Sequence, residues 1–175
     1  MTFSEWATPV VPVIKKDGSV RLCGDYKVTL NQATLTETYL LPRIDEMLAS
    51  LSGGTVFSKL DLAHAYQQVM LDDESKGMAT VNTHKGLYHV NRLPFGVASA
   101  PSVFQRIMDT VLQGLPFMFN YIDDILVTGR NLEEHIQNLE AVLARLGKHG
   151  FRLKREKCAF PLPCVDYLSR SPHYC

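Results

Sequence analysis

The sequence predicts an α+β fold, a mixed or antiparallel sheet with helices packed on one face. Three observations predict it. Strand-like and helix-like segments interleave along the chain. Turn signals, Asp17-Gly18 first among them, join neighbouring β-branched runs into hairpins. Apolar residues recur at helical spacing in segments that glycines then stop.

The elements follow in order. Val10 to Ile14 is β-branched around Pro12, which suits an edge strand, and Val20 to Cys23 is its return across Lys15-Lys16-Asp17-Gly18-Ser19. Pro42 takes the first position of a helix whose apolar side is Ile44, Met47, Leu48 and Leu51, ended by Gly53-Gly54. Thr55 to Leu60 reads as a strand ending at Asp61. Met78 to Thr83 and Leu87 to Arg92 read as strands around His84-Lys85-Gly86. Ser99 and Pro101 open a second helix with Val103, Phe104, Ile107, Met108, Val111 and Leu112 on one face, and Gly114 stops it. Phe117 to Val127 is apolar except for Asn120 and Asp123-Asp124. Asn131 with Glu134 caps a third helix, whose stripe is Leu132, Ile136, Leu139, Val142, Leu143 and Leu146 before Gly147 and Gly150.

The chain has 175 residues, 46% apolar and 21% charged, enough to bury a core. Eighteen basic residues balance eighteen acidic ones. A global basic field is absent, so nucleic-acid binding must come from a local patch. Cysteines 23, 158, 164 and 175 have neither zinc-ribbon nor disulfide-framework spacing. They read as reduced thiols of a cytoplasmic or nuclear protein that is not secreted. The segment Met1 to Trp6 lacks signal-peptide features, and no apolar run approaches the ~20 residues of a membrane span, so no membrane partner is expected.

Asp123 and Asp124 interrupt an apolar run, where two charges are costly unless paired. A solvated hairpin turn accounts for them, and so does a cation site. Asp61 ends an apolar strand in Phe57-Ser58-Lys59-Leu60-Asp61, where it is either a helix N-cap or a metal ligand. Three carboxylates at strand ends suit a two-cation site, since hard Mg²⁺ takes oxygen ligands and two ions clamp an in-line phosphoryl displacement.

These segments resemble the boxes of reverse transcriptases. Tyr121-Ile122-Asp123-Asp124 resembles the family's Tyr-x-Asp-Asp box, and Phe57 to Leu62 its first catalytic strand. Leu93-Pro94-Phe95-Gly96 through Gln105 is similar to the box between them. Trp6 to Val11, Lys15 to Ser19 with Arg21, and Leu41 to Glu46 add three more in the family's order. The nearest resemblance is to gypsy-type LTR retrotransposon polyproteins of animals.

The resemblance implies a right-hand polymerase palm, an antiparallel sheet with helices on one face, plus a β-rich fingers subdomain. Residues 1–36 and 69–99 would be fingers, 37–68 and 100–170 palm, and 171–175 an unmatched tail. It implies RNA-directed DNA synthesis, nucleotidyl transfer from dNTPs to a primer 3′-hydroxyl on an RNA or DNA template. Asp61, Asp123 and Asp124 would be catalytic and bind two Mg²⁺ ions, with Mn²⁺ as a substitute. Lys15 and Arg21 match cations that touch the triphosphate, as Arg grips phosphate bidentately. Tyr66 matches the position beneath the sugar, and Phe95 and Gly96 the turn that contacts the nucleotide. Gln105 falls near the template and Tyr121 near the primer end. Lys148, Arg152, Lys154, Arg155 and Lys157 form a basic cluster, either a template track or a solvated face. His64, His84, His89 and His135 lack ligand spacing and read as structural or surface residues.

The sequence departs from the family at two places. Asp25 to Asn31 carries Lys27 for the commoner Arg and one added residue. Val165 to Arg170 ends in Ser169-Arg170 where the family has Gly-His. The match stops before a thumb, RNase H or integrase domain, which implies weak or distributive synthesis, or none. A catalytically inactive remnant, adopted as a nucleic-acid- or protein-binding module, is the alternative. A template-independent metal hydrolase shares the carboxylates but leaves the Lys15/Arg21 hairpin unexplained.

Overall fold

The structure is a computed structural model that describes residues 3–15, 18–33 and 39–163. In chain order the elements are β1 (Thr8–Ile14), β2 (Val20–Gly24), α1 (Leu30–Ala33), α2 (Ile44–Leu51), β3 (Val56–Asp61), α3 (Asp73–Met78), β4 (Val81–Thr83), β5 (Gly86–Tyr88), α4 (Ala100–Val111), β6 (Met118–Tyr121), β7 (Asp124–Gly129), α5 (Leu132–Lys148) and β8 (Ala159–Leu162). Single 3₁₀ turns lie at Tyr26–Val28, Ala65–Gln68 and Arg155–Lys157. The chain divides into two compact units, Met1–Thr38 with Tyr66–Phe104, and Tyr39–Ala65 with Gln105–Cys175. The α+β class is the one the sequence predicts.

The first unit holds a sheet of order β2-β1-β4-β5. β1 and β2 pair antiparallel from Val10↔Gly24 to Ile14↔Val20. Lys15 N–H donates to the Ser19 carbonyl at 2.8 Å, and Gly18 takes the left-handed φ of 78° that the Asp-Gly pair predicts. β1 pairs parallel with β4 at Thr8 and Pro9 alone, so the sheet is mixed and Pro12 lies beyond that pairing. The strand expected from Met78 begins only at Val81. The preceding residues are helix α3, because the Asp72 side chain accepts Ser75 N–H at 2.7 Å and Asp73 and Glu74 favour a helix N-terminus. The strand expected from Leu87 to Arg92 is likewise short, with pairing from Gly86 to Tyr88. Tyr26, Ala79, Leu93, Val97 and Phe104 are buried. Burial pushes the Tyr26 phenol up to about 12, and its hydroxyl donates to the Ala79 carbonyl at 3.1 Å.

The second unit holds an antiparallel sheet of order β6-β7-β3-β8. Side chains alternate between its faces. Ser58, Leu60, Ile125 and Asn120 share one face. There Ser58 Oγ lies 2.8 Å from His135 Nε2 of α5, and Asn120 Nδ2 donates to Asp109 Oδ1 of α4 at 3.3 Å. The other face presents Lys59, Asp61 and Asp124, and further along it Phe119 and Leu126 with Leu51 of α2 packed on them. Helices α4 and α5 thus share one face, while α2 touches the opposite one. The side chains of Ile44, Met47 and Leu48, expected as the apolar side of α2, lie outside the described residues, as do Val165 to Arg170 with Ser169.

Helix α5 begins as predicted, with the Asn131 side chain accepting Glu134 N–H at 2.9 Å. Its buried face shares Val142 and Leu146 with the predicted stripe and adds His135. His135, Val142 and Leu146 are buried, whereas Leu132, Ile136 and Leu143 are exposed. The helix is turned so that the His135 ring reaches Ser58. Gly129 permits that approach, since a Cβ there would sit 2.5 Å from His135 N.

Candidate active site

Asp61 is the last residue of β3 and Asp124 the first of β7, and the antiparallel register sets them directly opposite each other. Like charges facing across a strand pair repel. Each has an ammonium beside it. Lys157 Nζ donates to Asp61 Oδ2 at 3.1 Å, and Lys59 Nζ lies 2.9 Å from Asp124 Oδ2. Lys59 reaches Asp124 because residues two apart along neighbouring strands share a face.

Asp123 occupies the tip of the β6–β7 hairpin. Partial desolvation raises its carboxyl above the usual carboxylate range, the Asp124 and Asp61 charges add to the rise, and Lys157 opposes it. The charges of Asp61 and Asp124 are therefore felt at Asp123. Lys157 is held above the usual lysine value, first by its hydrogen bond to Asp61 and then by the three negative charges.

Backbone bonds fasten this cluster. Leu62 N–H donates to the Asp123 carbonyl at 3.0 Å, which ties the end of β3 to the hairpin tip. Lys154 N–H donates to the Asp61 carbonyl at 2.8 Å, and Asp61 N–H to Cys158 Sγ at 3.4 Å. The Arg155–Lys157 turn is thus anchored on Asp61 from both of its ends. The basic cluster predicted there splits accordingly, with Lys157 turned onto a carboxylate.

The β6–β7 turn is strained. Ile122 has φ 54°, a left-handed value unusual for a β-branched residue. Gln105, expected near the template, is fully buried. Its Oε1 accepts Ile122 N–H at 2.7 Å, and its Nε2 donates to Asp109 Oδ1 at 2.8 Å and to the Asn120 carbonyl at 3.1 Å. Asp109 also accepts the Tyr39 hydroxyl at 2.7 Å. Tyr121, expected near a primer end, is half-buried against Phe119 and Leu126.

The remaining predicted residues lie in the first unit. The Arg21 guanidinium stands 4.5 Å above the centroid of the Phe95 ring, a cation–π contact. Tyr66 meets Phe95 at 5.4 Å and Phe104 at 5.5 Å between centroids, so Arg21, Phe95 and Tyr66 form one stack. Gly96 has φ 98°, and a Cβ there would lie 2.6 Å from the Gly24 carbonyl oxygen, so glycine is required twice over. Asn31 clamps that turn, donating to the Gly96 carbonyl and accepting Ala98 N–H, both at 2.9 Å. Lys15 stands half-buried at the base of the β1–β2 turn. Lys27, the departure from the family form, is exposed on its 3₁₀ turn.

Sequence reasoning missed Lys59, Asn31 and Asp109, and misread Lys157. Lys59 was visible as a charge inside an apolar strand, but its partner follows only from register. Among the described residues, no group of three or more His, Cys, Asp or Glu side chains is arranged to hold a metal ion. The donor chemistry nevertheless fits one. Asp61, Asp123 and Asp124 supply only carboxylate oxygens, as a hard divalent cation requires, and two ammoniums already stand where positive charge is needed. No helix among the described residues is long and apolar enough to cross a membrane.

Residues 13–170 match the reverse transcriptase (RNA-dependent DNA polymerase) family. The chain is 40% identical over 170 residues to the uncharacterized protein K02A2.6 of Caenorhabditis elegans, covering 96% of this chain and 13% of that protein. It is 32% identical over 157 residues to the retrovirus-related Pol polyprotein from transposon 297 of Drosophila melanogaster, covering 89% of this chain and 15% of the polyprotein. The chain thus spans under a quarter of these relatives' length. Among solved structures, a foamy viral protease–reverse transcriptase in complex with double-stranded DNA superposes with TM-score 0.87 at 24% identity, over 95% of this chain and 29% of that one.

Proposed function

The chain belongs to the reverse transcriptase (RNA-dependent DNA polymerase) family, and from that premise we propose that it performs template-directed DNA synthesis, joining dNTPs to a primer 3′-hydroxyl. The observation that carries this reading is the facing of Asp61 and Asp124 beside Asp123 at one end of an antiparallel sheet. Asp61, Asp123 and Asp124 are the residues to hold two divalent ions, Mg²⁺ or Mn²⁺. When bound, such ions polarise phosphate oxygens and clamp the attacking and leaving oxygens of an in-line displacement.

The chain's own residues do the rest. Gln105 holds Ile122 in its left-handed conformation and so fixes where Asp123 and Asp124 project. Arg21, braced on Phe95, offers a planar fork to a triphosphate, and Lys15 adds a point charge. Tyr66, held by Phe95 and Phe104, presents a rigid ring for a deoxyribose to lie against. Tyr121 lies beside a primer end. The first unit corresponds in this reading to fingers and the second to palm, and the partners are an RNA or DNA template-primer, dNTPs and further domains of a longer polyprotein.

The test is Mg²⁺-dependent primer extension on an RNA template at low salt, because phosphate contacts weaken as salt rises. Wild-type extension that Asp123→Asn abolishes, with the variant folded, supports the reading. Extension retained in the variant sinks it. A folded chain that binds template-primer without extending it supports a binding module instead.

A further inference from the structure

Two lysines stand on the carboxylates, and they are built differently. Lys59 projects from the middle of β3, a strand paired on both sides by β7 and β8, and its side chain is 29% exposed. Lys157 projects from a 3₁₀ turn, and its side chain is 57% exposed although its partner Asp61 is 11% exposed. The Lys157 stem thus crosses solvent to place one ammonium on a buried carboxylate. The turn beneath it is fixed by Lys154 N–H on the Asp61 carbonyl and by Asp61 N–H on Cys158 Sγ. Rotation of the side chain alone would free Asp61 Oδ2, with no change of backbone.

Resting on the metal-binding reading above, we infer that Lys157 is an exchangeable counter-ion. Its ammonium neutralises Asp61 while no divalent ion is bound and leaves when one binds, whereas Lys59 stays on Asp124. A dication on either carboxylate would repel the ammonium beside it. Lys157, on its exposed stem, is free to swing away, whereas Lys59, less exposed on a strand paired on both sides, keeps its place. The carboxylates face each other across the sheet, so an empty site without a counter-ion would strain the β3–β7 pairing. With both lysines in place, two ammoniums oppose three carboxylates, and one net negative charge remains to attract the incoming ion. Metal loading is therefore a competition between Lys157 and the ion.

The experiment is isothermal titration of the 175-residue chain with Mn²⁺, for wild type, Lys157→Met and Lys154→Met, with a thermal melt of each with and without Mn²⁺. Lys154→Met removes the same charge from the same segment without touching the Asp61 carboxylate. Lys157→Met is expected to bind Mn²⁺ about three- to tenfold more tightly than wild type, the scale of a partly exposed ion pair plus relieved repulsion. Its metal-free melting temperature is expected to fall and its Mn²⁺-loaded one to match wild type. Lys154→Met is expected to bind as wild type does. Unchanged or weaker binding by Lys157→Met overturns the inference, as does an equal gain in Lys154→Met. Lys157→Gln serves if the Met variant does not fold. Mn²⁺ binding by no variant, nor by wild type, would overturn the metal-site reading itself and this inference with it.

Discussion

Gln105 Oε1 accepts the backbone N–H of Ile122 at 2.7 Å, so a side chain buried in α4 holds the strained residue that precedes the Asp pair. Substituting Gln105→Leu leaves Ile122 N–H and the Asn120 carbonyl without their partner, each loss costing about 1–3 kcal/mol. We expect a drop of about 2 kcal/mol or more by denaturant titration. Primer extension should fall further than stability explains, since the turn is no longer held. A Gln105→Leu chain with wild-type stability would remove Gln105 from this role.

Asp123 should cost stability near neutral pH when no metal is bound. Its folded carboxyl titrates above the ordinary carboxylate value, through desolvation first and then its acidic neighbours. The unfolded chain therefore gives up this proton first. Stability from this position is full below the ordinary carboxylate range and falls as pH rises through the raised value. Asp123→Asn should melt higher than wild type at pH ~7, by less than about 1 kcal/mol because the residue is exposed and screened. The difference should close as pH drops below the carboxylate range. Melting curves of the metal-free chain across pH check this.

His135 gives the opposite slope. Burial lowers its value below the usual 6.5, so the folded ring stays neutral where the unfolded one has already taken a proton. Its contribution is present above 6.5 and is lost as pH falls below it. A His135→Gln chain, which cannot take up that proton, should lose less stability than wild type between pH ~6.5 and ~5. Parallel slopes for the two proteins would contradict the buried neutral ring.

Phe95 links Arg21 to Tyr66. Phe95→Ala removes the ring under the guanidinium, a contact worth about 0.5–2 kcal/mol. We expect the KM for dNTP to rise several-fold in primer extension, with a smaller change in kcat. Phe95→Tyr, which keeps a ring there, should restore most of the loss. Equal KM in Phe95→Ala would detach this stack from nucleotide binding.

Several features were legible in the residues alone because their causes are local. Gly18 at a left-handed position and Asn131 with its Glu134 partner depend on neighbours a few residues away. Asp61 and the Asp123-Asp124 pair drew notice because charge is costly inside apolar strands. Other readings failed where a second, non-local choice intervened. Asp72 starts a helix where Met78 promised a strand, and the reach of His135 to Ser58 turns α5 so that Leu132, Ile136 and Leu143 of its apolar stripe stay exposed.

The sequence by itself determined the α+β class, the principal hairpins and the carboxylates that ask for a cation, because propensity, turn chemistry and the cost of buried charge act over short stretches of chain. Only the tertiary structure decided which lysine meets which carboxylate and what Gln105 does. Lys59 reaches Asp124 through a strand register, and Lys157 reaches Asp61 from 96 residues away. Gln105 acts from inside a helix on a turn 17 residues further on. Such pairings exist only once the sheet has formed, and no local pattern encodes a partner that folding alone brings within hydrogen-bond distance.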